Sequence, residues 1–294
     1  MKTHKILIIG ASGLVGSNCL KYLQEQEAIE VEGTYFSFAI KGLHFFDTLN
    51  PDTAENFDIH SFKPTHILHA GALTHVDYCE THQEESYLKT VQATKNILEL
   101  AKKYGSRVIY ISTDYVFDGR DGPYNENAPV NPISVYASHK LEAEMLVRSQ
   151  SVHNLIIRVT NVYGDEVRNK NFVARLLEMG MKNETATLNL PIDQYATPVN
   201  ALDVAKALCL LIRDNKSGIY NIASTDYLNR VQLAEKVMNH FSGNQVSIIA
   251  KLTSELNQPA ARPLQGGLKP AKFLSEYPYF YFSSIDEYLI SKKG

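Results

Sequence analysis

Two residues of this 294-residue chain, Tyr136 and Lys140, have side chains that could transfer a proton together. They stand four positions apart in a stretch with a helical pattern, so they lie on one face of the helix, about one turn apart. A phenol, with a pKa of about 10, is a poor acid at neutral pH, but a neighbouring ammonium group favours its anion and lowers that pKa. The pair could therefore act as a general acid.

The same spacing occurs at Tyr288 and Lys292, so spacing alone does not select the first pair. What distinguishes Tyr136 is its position after an apolar stretch that ends in two hydroxyl residues, Ser112 and Thr113. A sheet of parallel strands binds its ligand at the carboxyl ends of the strands. Thr113 is therefore a candidate to hydrogen-bond the reacting oxygen, with a turn or N-cap hydroxyl as the structural alternative.

A glycine-rich loop near the N-terminus has the spacing of a phosphate-binding turn. Its three glycines, Gly10, Gly13 and Gly16, follow an isoleucine-rich stretch and precede a helical pattern. The first allows a tight turn, the second lets the backbone approach a pyrophosphate, and the third lets the helix pack on the strand. Backbone N–H groups and the dipole of that helix would then bind the anion of a dinucleotide. The other loop residues expected to contact it are Ser12, Leu14 and Val15.

The residues after the second predicted strand bear on which dinucleotide binds. An acid about 20 residues beyond the glycine loop would accept a hydrogen bond from the ribose 2′-hydroxyl of NAD. Here no acid and no arginine follow that strand, and Glu32 comes too early, on a strand face. Ser37 could donate a hydrogen bond to a 2′-phosphate. These residues favour NADP(H) over NAD(H).

The scaffold that must position these residues is predicted to be α/β. Several apolar runs lack a polar face, as expected for parallel strands covered by helices on both sides. Their alternation with helical patterns predicts a Rossmann-like, doubly wound parallel sheet. The predicted strands cover residues 5–9, 29–34, 43–46, 66–69, 107–112 and 155–158. The predicted helices between them cover residues 14–26, 84–103 and 135–149.

The alternation becomes less regular after Tyr163, which predicts two parts. Residues 1–163 would form the NADP(H)-binding domain with the Tyr-Lys helix, and residues 164–294 a smaller substrate-binding portion, partly interwoven with the first. Within the second part we expect helices over residues 200–213, with Asn200 as N-cap, and 230–241. Short extended segments are expected at residues 218–222 and 246–249.

Composition excludes several classes of protein. The chain has 29 Lys and Arg against 32 Asp and Glu, a net charge of −3, so no basic excess indicates a nucleic-acid partner. Three widely spaced cysteines suit neither a disulfide framework nor a zinc site, and the histidines show no metal-binding spacing. No apolar stretch approaches the roughly 20 residues that span a bilayer. We therefore expect a cytoplasmic protein with no metal and no membrane partner.

Several motifs together resemble a known family. The glycine loop, the Ser-Thr-Asp-Tyr-Val-Phe-Asp-Gly run at residues 112–119 and the Tyr-Ala-Ser-His-Lys run at 136–140 are similar to extended short-chain dehydrogenase/reductases, and in particular to the dTDP-4-dehydrorhamnose reductase family. Further matches occur in family order over nearly the whole chain. They are residues 72–80, 193–198, 218–222 and 262–263.

The resemblance implies a reaction and its residues. A hydride would pass from the nicotinamide to C4 of a 4-keto nucleotide sugar in the synthesis of surface-polysaccharide precursors. Thr113, Tyr136 and Lys140 match the catalytic trio, in which Lys140 also binds the nicotinamide ribose. Positioned donors of this kind act where negative charge develops on the substrate oxygen. The other residues that the resemblance assigns to the cofactor are Asp47, near the adenine, and Ala70, Gly71 and Ala72, beside the riboses.

Substrate contacts are predicted on the opposite side of the cleft. The resemblance implies contacts from Asp114, Asn161, Asp193 and Gln194. A nucleotide sugar also brings about two negative charges on its diphosphate, and we assign these to Arg262, because a guanidinium fork binds phosphate oxygens bidentately. A surface arginine that caps a turn is the alternative, with Lys269 or Arg175 as the next cations.

Two departures from the family leave other functions open. The chain contains no tryptophan, whereas the family usually carries one after the sixth strand, and Thr90 stands where many members have asparagine. A nucleotide-sugar epimerase or dehydratase is one alternative, although Tyr115 occupies the position where a dehydratase would carry glutamate. A regulatory subunit resembling the methionine adenosyltransferase β subunit is another. The aromatic run at residues 277–282 is either core or an oligomer contact, which leaves a homodimer open.

Overall fold

The computed structural model describes residues 4–51 and 57–292. The strands are β1 (His4–Ile9), β2 (Ile29–Tyr35), β3 (His44–Phe45), β4 (His66–His69), β5 (Arg107–Thr113), β6 (Leu155–Val159), β7 (Thr185–Pro191), β8 (Tyr195–Ala196), β9 (Gly218–Asn221), β10 (Leu228–Asn229) and β11 (Gln245–Lys251). Seven of them form one parallel sheet in the order β3-β2-β1-β4-β5-β6-β9. The predicted Rossmann-like fold class is confirmed.

Helices cover both faces of this sheet. The α-helices of the described residues are α1 (Leu14–Gln24), α2 (Ile59–Phe62), α3 (Val76–Thr81), α4 (Gln83–Tyr87), α5 (Ala93–Tyr104), α6 (Val135–Gln150), α7 (Phe172–Met181), α8 (Ala201–Arg213), α9 (Arg230–Met238), α10 (Ala271–Glu276) and α11 (Ile285–Ile290). One face packs Leu23 of α1 and Leu208 of α8 on the strands, and the other packs Ile97 of α5 and Val147 of α6. The apolar runs are buried because both faces are covered.

The helix predicted over residues 84–103 is present, but it contains a π-helical turn that the prediction did not include. The structure divides it into α4, a π-helical turn at Leu88–Gln92, and α5. The Thr94 hydroxyl donates a hydrogen bond of 2.6 Å to the carbonyl oxygen of Thr90 just where the wide turn leaves the regular α-helical pattern. Such π-turns within helices are frequent at functional sites.

Residues after 163 contribute both to the main sheet and to a smaller second unit. Strand β9 pairs with β6 at the edge of the main sheet, and α8 lies against α1. The smaller unit is built on the parallel pair β7 and β11, with α7, α9 and α11 around a core that contains Leu176, Leu233 and Leu289. Asn200 caps α8 as expected, since its side chain accepts a hydrogen bond from the Leu202 N–H. The domain boundary at residue 163 stays a prediction.

The order of the strands places a crevice beside β1. Strand β1 lies between β2 and β4, so the connections leave it in opposite directions across the sheet. Ligands of open α/β sheets bind at such a switch point, beyond the carboxyl ends of the strands. Among the helices of the described residues, none has the length and apolar character needed to cross a membrane.

Candidate active site

The glycine loop joins β1 to α1 in a conformation that side chains would obstruct. Gly10 has a φ of 85°, and a Cβ there would stand 2.8 Å from the backbone nitrogen of Gly71. A Cβ on Gly16 would collide with the carbonyl oxygen of Gly10, so α1 approaches β1 only because this residue is glycine. At Gly13 the nearest atom would be that same oxygen, at 3.4 Å. Gly10 and Gly16 therefore shape a concave loop, which we call the glycine cradle, and Gly13 leaves the opening of this cradle unobstructed.

The N-terminus of α1 opens into this cradle. Gly13 is the N-cap, and no side chain caps the helix. The next N–H groups, including those of Leu14 and Val15, belong to the first turn, where an α-helix leaves its donors without partners of its own. Ser12 is buried within the loop. An uncapped helix N-terminus over a glycine cradle fits the pyrophosphate of a dinucleotide.

The expected adenosine contacts lie at the carboxyl ends of β2, β3 and β4. Ser37 is exposed two residues beyond β2. Asp47 follows β3, and its carboxylate accepts hydrogen bonds from the Leu49 N–H and the Asn50 side chain. Glu32 lies within β2, as predicted, and its carboxylate pairs with His44 at 3.0 Å. Residues 70–72 leave β4 beside the loop, where the Ala70 N–H donates to the carbonyl oxygen of Ile9.

Lys140 lies buried beneath the carboxyl end of β5. Its Nζ donates a hydrogen bond of 2.6 Å to the carbonyl oxygen of Ile111 and stands 4.1 Å from the centre of the Tyr110 ring. Burial lowers the pKa of Lys140 to about 7, with Glu144 acting in the opposite direction. The ammonium group therefore changes charge near neutral pH, within the same helix that carries Tyr136.

Tyr136 and Thr113 face each other across the start of α6. The helix begins behind Ser134, whose hydroxyl accepts a hydrogen bond from the Ala137 N–H, and this cap fixes the first turn that holds Tyr136. Burial raises the pKa of the Tyr136 phenol, and a hydrogen bond with Thr113 opposes that rise. Thr113 ends β5 and also accepts a hydrogen bond from the Tyr115 N–H, so it has the turn-capping role that was the alternative. The hydrogen bond from Thr113 to the reacting oxygen stays a prediction.

His69, at the end of β4, lies close to Tyr110 and Lys140 but has no polar partner among the described residues. It is 1% exposed, and neither ring nitrogen has a hydrogen-bond partner among the described residues. Its ring centre is 5.6 Å from that of Tyr110. Burial lowers the pKa of His69 to about 3, and the nearby Lys140 lowers it further. The imidazole is therefore neutral at physiological pH.

Asp114 connects three parts of the chain. It is 4% exposed, and its Oδ2 accepts hydrogen bonds from the Thr160 hydroxyl at 2.7 Å and the Gly267 N–H at 3.1 Å. Its Oδ1 accepts a weaker bond of 3.3 Å from Thr113. Burial raises the pKa of this carboxyl group, and these hydrogen bonds oppose the rise. Asp114, predicted to contact substrate, thus joins the ends of β5 and β6 to the C-terminal loop.

The other predicted substrate residues are also engaged by the protein. The carboxylate of Asp193 accepts hydrogen bonds from the N–H and hydroxyl of Thr253, and Gln194 donates to the same hydroxyl at 3.0 Å. Asn161, which has a φ of 39°, accepts a bond of 2.7 Å from Arg230. Asp193 and Gln194 therefore fix the loop after β7 to the loop after β11.

Arg262 does not present a free fork. Its two terminal nitrogens bind the two carboxylate oxygens of Asp77 at 2.9 and 2.7 Å, and one of them also donates to the Ala260 carbonyl oxygen. Although burial acts to raise it, the hydrogen bond from Arg262 holds the pKa of Asp77 below its usual value. The prediction that this fork is open for phosphate disagrees with the structure, because Asp77 occupies it.

Arg230 is a cation that the sequence reasoning missed. It is the first residue of α9, lies 5.0 Å over the Phe172 ring, and interacts electrostatically with Arg175 and Arg262. Burial lowers the pKa of Arg230, the two neighbouring arginines lower it further, and Tyr115 acts in the opposite direction. Three guanidinium groups thus lie near one another, two of them, Arg230 and Arg262, beside Tyr115, and Asp77 neutralises Arg262. No spacing pattern links these residues, so only the fold reveals the cluster.

Comparison with known proteins agrees with this arrangement. A family model described as the RmlD substrate binding domain matches residues 4–279. This chain belongs to the RmlD family. The resemblance inferred from the motifs is confirmed, and with it the predicted enzyme class, an NAD(P)-dependent oxidoreductase.

Individual relatives of this RmlD-family chain include two kinds of protein. A methionine adenosyltransferase 2 subunit beta from Xenopus laevis is 28% identical over 246 residues, which cover 82% of this chain and 73% of that protein. A dTDP-4-dehydrorhamnose reductase from Aggregatibacter actinomycetemcomitans is 32% identical over 205 residues, which cover 69% and 66%. The crystal structure of a dTDP-4-dehydrorhamnose reductase from Clostridium acetobutylicum superposes with a TM-score of 0.84 at 28% identity, over 99% of this chain and 100% of that one.

The RmlD-family chain replaces two features that the resemblance led us to expect. Thr160 and Asn161 stand after β6, where the family usually carries a tryptophan, and both are held by hydrogen bonds to Asp114 and Arg230. Thr90, in place of asparagine, is buried in the π-helical turn against α6. The carboxyl end of β6 is therefore more polar than a tryptophan would make it.

Proposed function

We propose that this protein reduces the 4-keto group of a nucleotide sugar with NADPH. The observation that carries the proposal is the position of Thr113, Tyr136 and Lys140 at the carboxyl end of β5, at the same edge of the sheet as the uncapped N-terminus of α1. A carbonyl reductase needs a cofactor-binding loop and a proton donor at the same edge of the sheet. The glycine cradle and the Tyr136–Lys140 pair would supply these two parts. The product class fits precursors of surface polysaccharides, dTDP-rhamnose among them.

The residues of the chain supply binding and proton transfer. When bound, the nicotinamide cofactor supplies the hydride. Gly10, Gly13 and Gly16 admit the pyrophosphate to the helix N-terminus. Tyr136 is protonated at neutral pH because burial raises its pKa, so it can give its proton to the carbonyl oxygen of the sugar. Thr113 would turn its hydroxyl proton from Asp114 Oδ1 to that oxygen and donate a hydrogen bond to it.

Lys140 would make the phenol a better acid as the reaction proceeds. A positive charge one turn away on α6 favours the tyrosinate that remains after Tyr136 loses its proton. Because the pKa of Lys140 is about 7 in this structure, the charged form dominates only below neutral pH. We expect the phosphates and ribose of the cofactor to keep Lys140 charged in the working complex.

The arginine cluster would bind the diphosphate of the substrate. Arg230 and the exposed Arg175 have no carboxylate partner among the residues described, whereas Arg262 is paired with Asp77. Two unpaired guanidinium groups match the two charges of a diphosphate. This assignment moves the phosphate contact from Arg262 to Arg230 and leaves Arg262 the task of fixing the loop at residues 260–263.

The proposal is tested by NADPH oxidation with a panel of 4-keto nucleotide sugars. Arg230→Ala should raise KM for the nucleotide sugar at least about tenfold while the affinity for NADPH stays unchanged, because a charged hydrogen bond contributes about 1.5–3 kcal/mol. Arg213→Ala, an exposed arginine paired with Asp214 at the end of α8, is the matched control. Absence of turnover with every 4-keto sugar would contradict the proposed reaction.

A regulatory role is the second candidate, favoured by the 28% identity to the methionine adenosyltransferase 2 subunit beta. In that case the chain would bind a catalytic partner and leave keto sugars unreduced. Co-purification with a methionine adenosyltransferase distinguishes the two functions. The homodimer and the cytoplasmic location stay predictions.

A further inference from the structure

The segment between β6 and α7, residues 164–170, lies across the start of α1, and we call it the strap. The carbonyl oxygen of Asp165 accepts a hydrogen bond of 2.9 Å from Asn18 of α1. The carboxylate of Asp165 binds Lys292 at 2.6 Å and Tyr288 at 2.9 Å. The strap is therefore attached both to α1 and to the C-terminal helix.

Arg168 reaches from the strap to the loop after β2. Its guanidinium carbon stands 5.3 Å from the centre of the Phe38 ring, so the cation lies over the residue next to Ser37. The Nε of Arg168 is buried and has no hydrogen-bond acceptor among the described residues. Within the same part of the chain, no carboxylate forms an ion pair with it, and the two acids of the strap bond elsewhere. A positioned guanidinium without an anion points to a ligand that brings one.

The surrounding charges agree with an anionic ligand. Residues 36–41 contain no acid, and the one charged residue among them is Lys41. Glu166 uses its Oε1 to accept the N–H groups of Lys170 and Asn171, and Asp165 is neutralised by Lys292. The loop after β2 is also where a Rossmann fold holds the adenosine ribose, when the pyrophosphate lies at the N-terminus of α1.

We propose that Arg168 binds the 2′-phosphate of NADP(H), with Ser37 donating a second hydrogen bond. This inference rests on the proposed function. The sequence showed no arginine directly after β2, but the strap brings Arg168, 130 positions beyond Phe38, to the loop after that strand. A phosphomonoester has the oxygen geometry that a guanidinium fork binds bidentately. The selectivity for NADP(H) would thus come from the connection between the two parts of the chain and not from the β2 loop alone.

The test measures binding without substrate, by calorimetric titration of NADPH, NADH, 2′,5′-ADP and ADP. Arg168→Ala should weaken NADPH and 2′,5′-ADP at least about tenfold and change NADH and ADP by less than about twofold, because only the first two carry the 2′-phosphate. Arg168→Lys, which keeps the charge and loses the fork, should fall between. Arg213→Ala removes the same charge far from the strap and should change none of the four.

Retained NADH binding shows that each variant is folded. Unchanged NADPH affinity in Arg168→Ala, or a wild type that binds NADH more tightly than NADPH, would overturn the role of Arg168. Neither of these results would contradict keto-sugar reduction itself, because NADH can also supply the hydride; a preference for NADH would change only the cofactor named in the proposed function. A wild type that binds no nucleotide would overturn both.

Discussion

Replacing Asp114 tests whether this residue fixes the structure or contacts substrate. Its Oδ2 accepts hydrogen bonds from the Thr160 hydroxyl and the Gly267 N–H, both buried. In Asp114→Asn the amide oxygen can take the place of Oδ2, and the amide nitrogen can donate to Thr113. In Asp114→Ala both donors lose their acceptor. The two variants therefore differ in hydrogen bonding far more than in charge.

The expected magnitudes follow from those contacts. A buried donor without a partner costs about 1–3 kcal/mol, so two such donors in Asp114→Ala should lower the free energy of unfolding by about 2–6 kcal/mol. Asp114→Asn should stay within about 1 kcal/mol of wild type, because the amide satisfies the same partners without burying a charge. Burial raises the pKa of Asp114 in the folded state, so its ionisation weakens the fold as the pH rises. The stability of Asp114→Asn relative to wild type should therefore increase between pH 4 and pH 7.

The measurement is urea unfolding of the three proteins at both pH values, with midpoint and slope compared. Substrate KM, measured in parallel, separates the two roles: a connecting residue leaves KM of the asparagine variant near wild type. Equal destabilisation by asparagine and alanine would refute the hydrogen-bond account. A large rise in KM for a fully stable Asp114→Asn would restore the predicted substrate contact.

Three further changes test the rest of the site. Tyr136→Phe should lower kcat at least about a hundredfold at saturating NADPH, the scale of general acid catalysis, whereas the same change at Tyr288, which binds Asp165, should leave kcat unchanged; equal losses would remove Tyr136 from the mechanism. Gly16→Ala should weaken dinucleotide binding and destabilise the fold by about 1–3 kcal/mol, because its Cβ collides with the loop backbone; a calorimetric titration and thermal unfolding that match wild type would contradict the cradle. His69→Asn should flatten the loss of stability below pH 6.5. A histidine with a folded pKa of about 3 is neutral in both states above pH 6.5 and destabilises the protein progressively as the pH falls below that value, by up to about 1.4 kcal/mol per pH unit. Urea midpoints at pH 7 and pH 5 measure this slope, for which exposed His153→Asn is the control.

Local patterns predicted the elements of the main sheet well, because the chemistry that forms them is local. The glycine loop and the apolar runs define β1, β4 and β5, and parallel topology then brings Thr113 to the same edge as Gly13. The helix predicted over residues 84–103 formed, but its π-turn around Thr90 was not predicted, because nothing in the apolar spacing marks it.

Contacts between distant residues were out of reach of the same reasoning. Arg262 forms an ion pair with Asp77, 185 positions away, and no pattern in a single sequence indicates that pairing. The contact between Arg168 and the Phe38 ring also joins distant residues, and no sequence pattern indicates it. The residue types were recognised as cations, but which cation stays free for a ligand depends on the tertiary structure.

Helix α8 and strand β9 come late in the sequence, and this order has a consequence for synthesis on the ribosome. Val204 and Leu208 of α8 pack on the same face of the sheet as Ile109 and Ile157. When β6 has emerged, α1 already covers part of that face, but the part that α8 will cover is still exposed, and translation at roughly 5–20 residues per second leaves it so for several seconds. A nascent chain that stops before α8 presents an apolar sheet face and an unpaired edge at β6, which are the features that chaperones bind and that lead to aggregation.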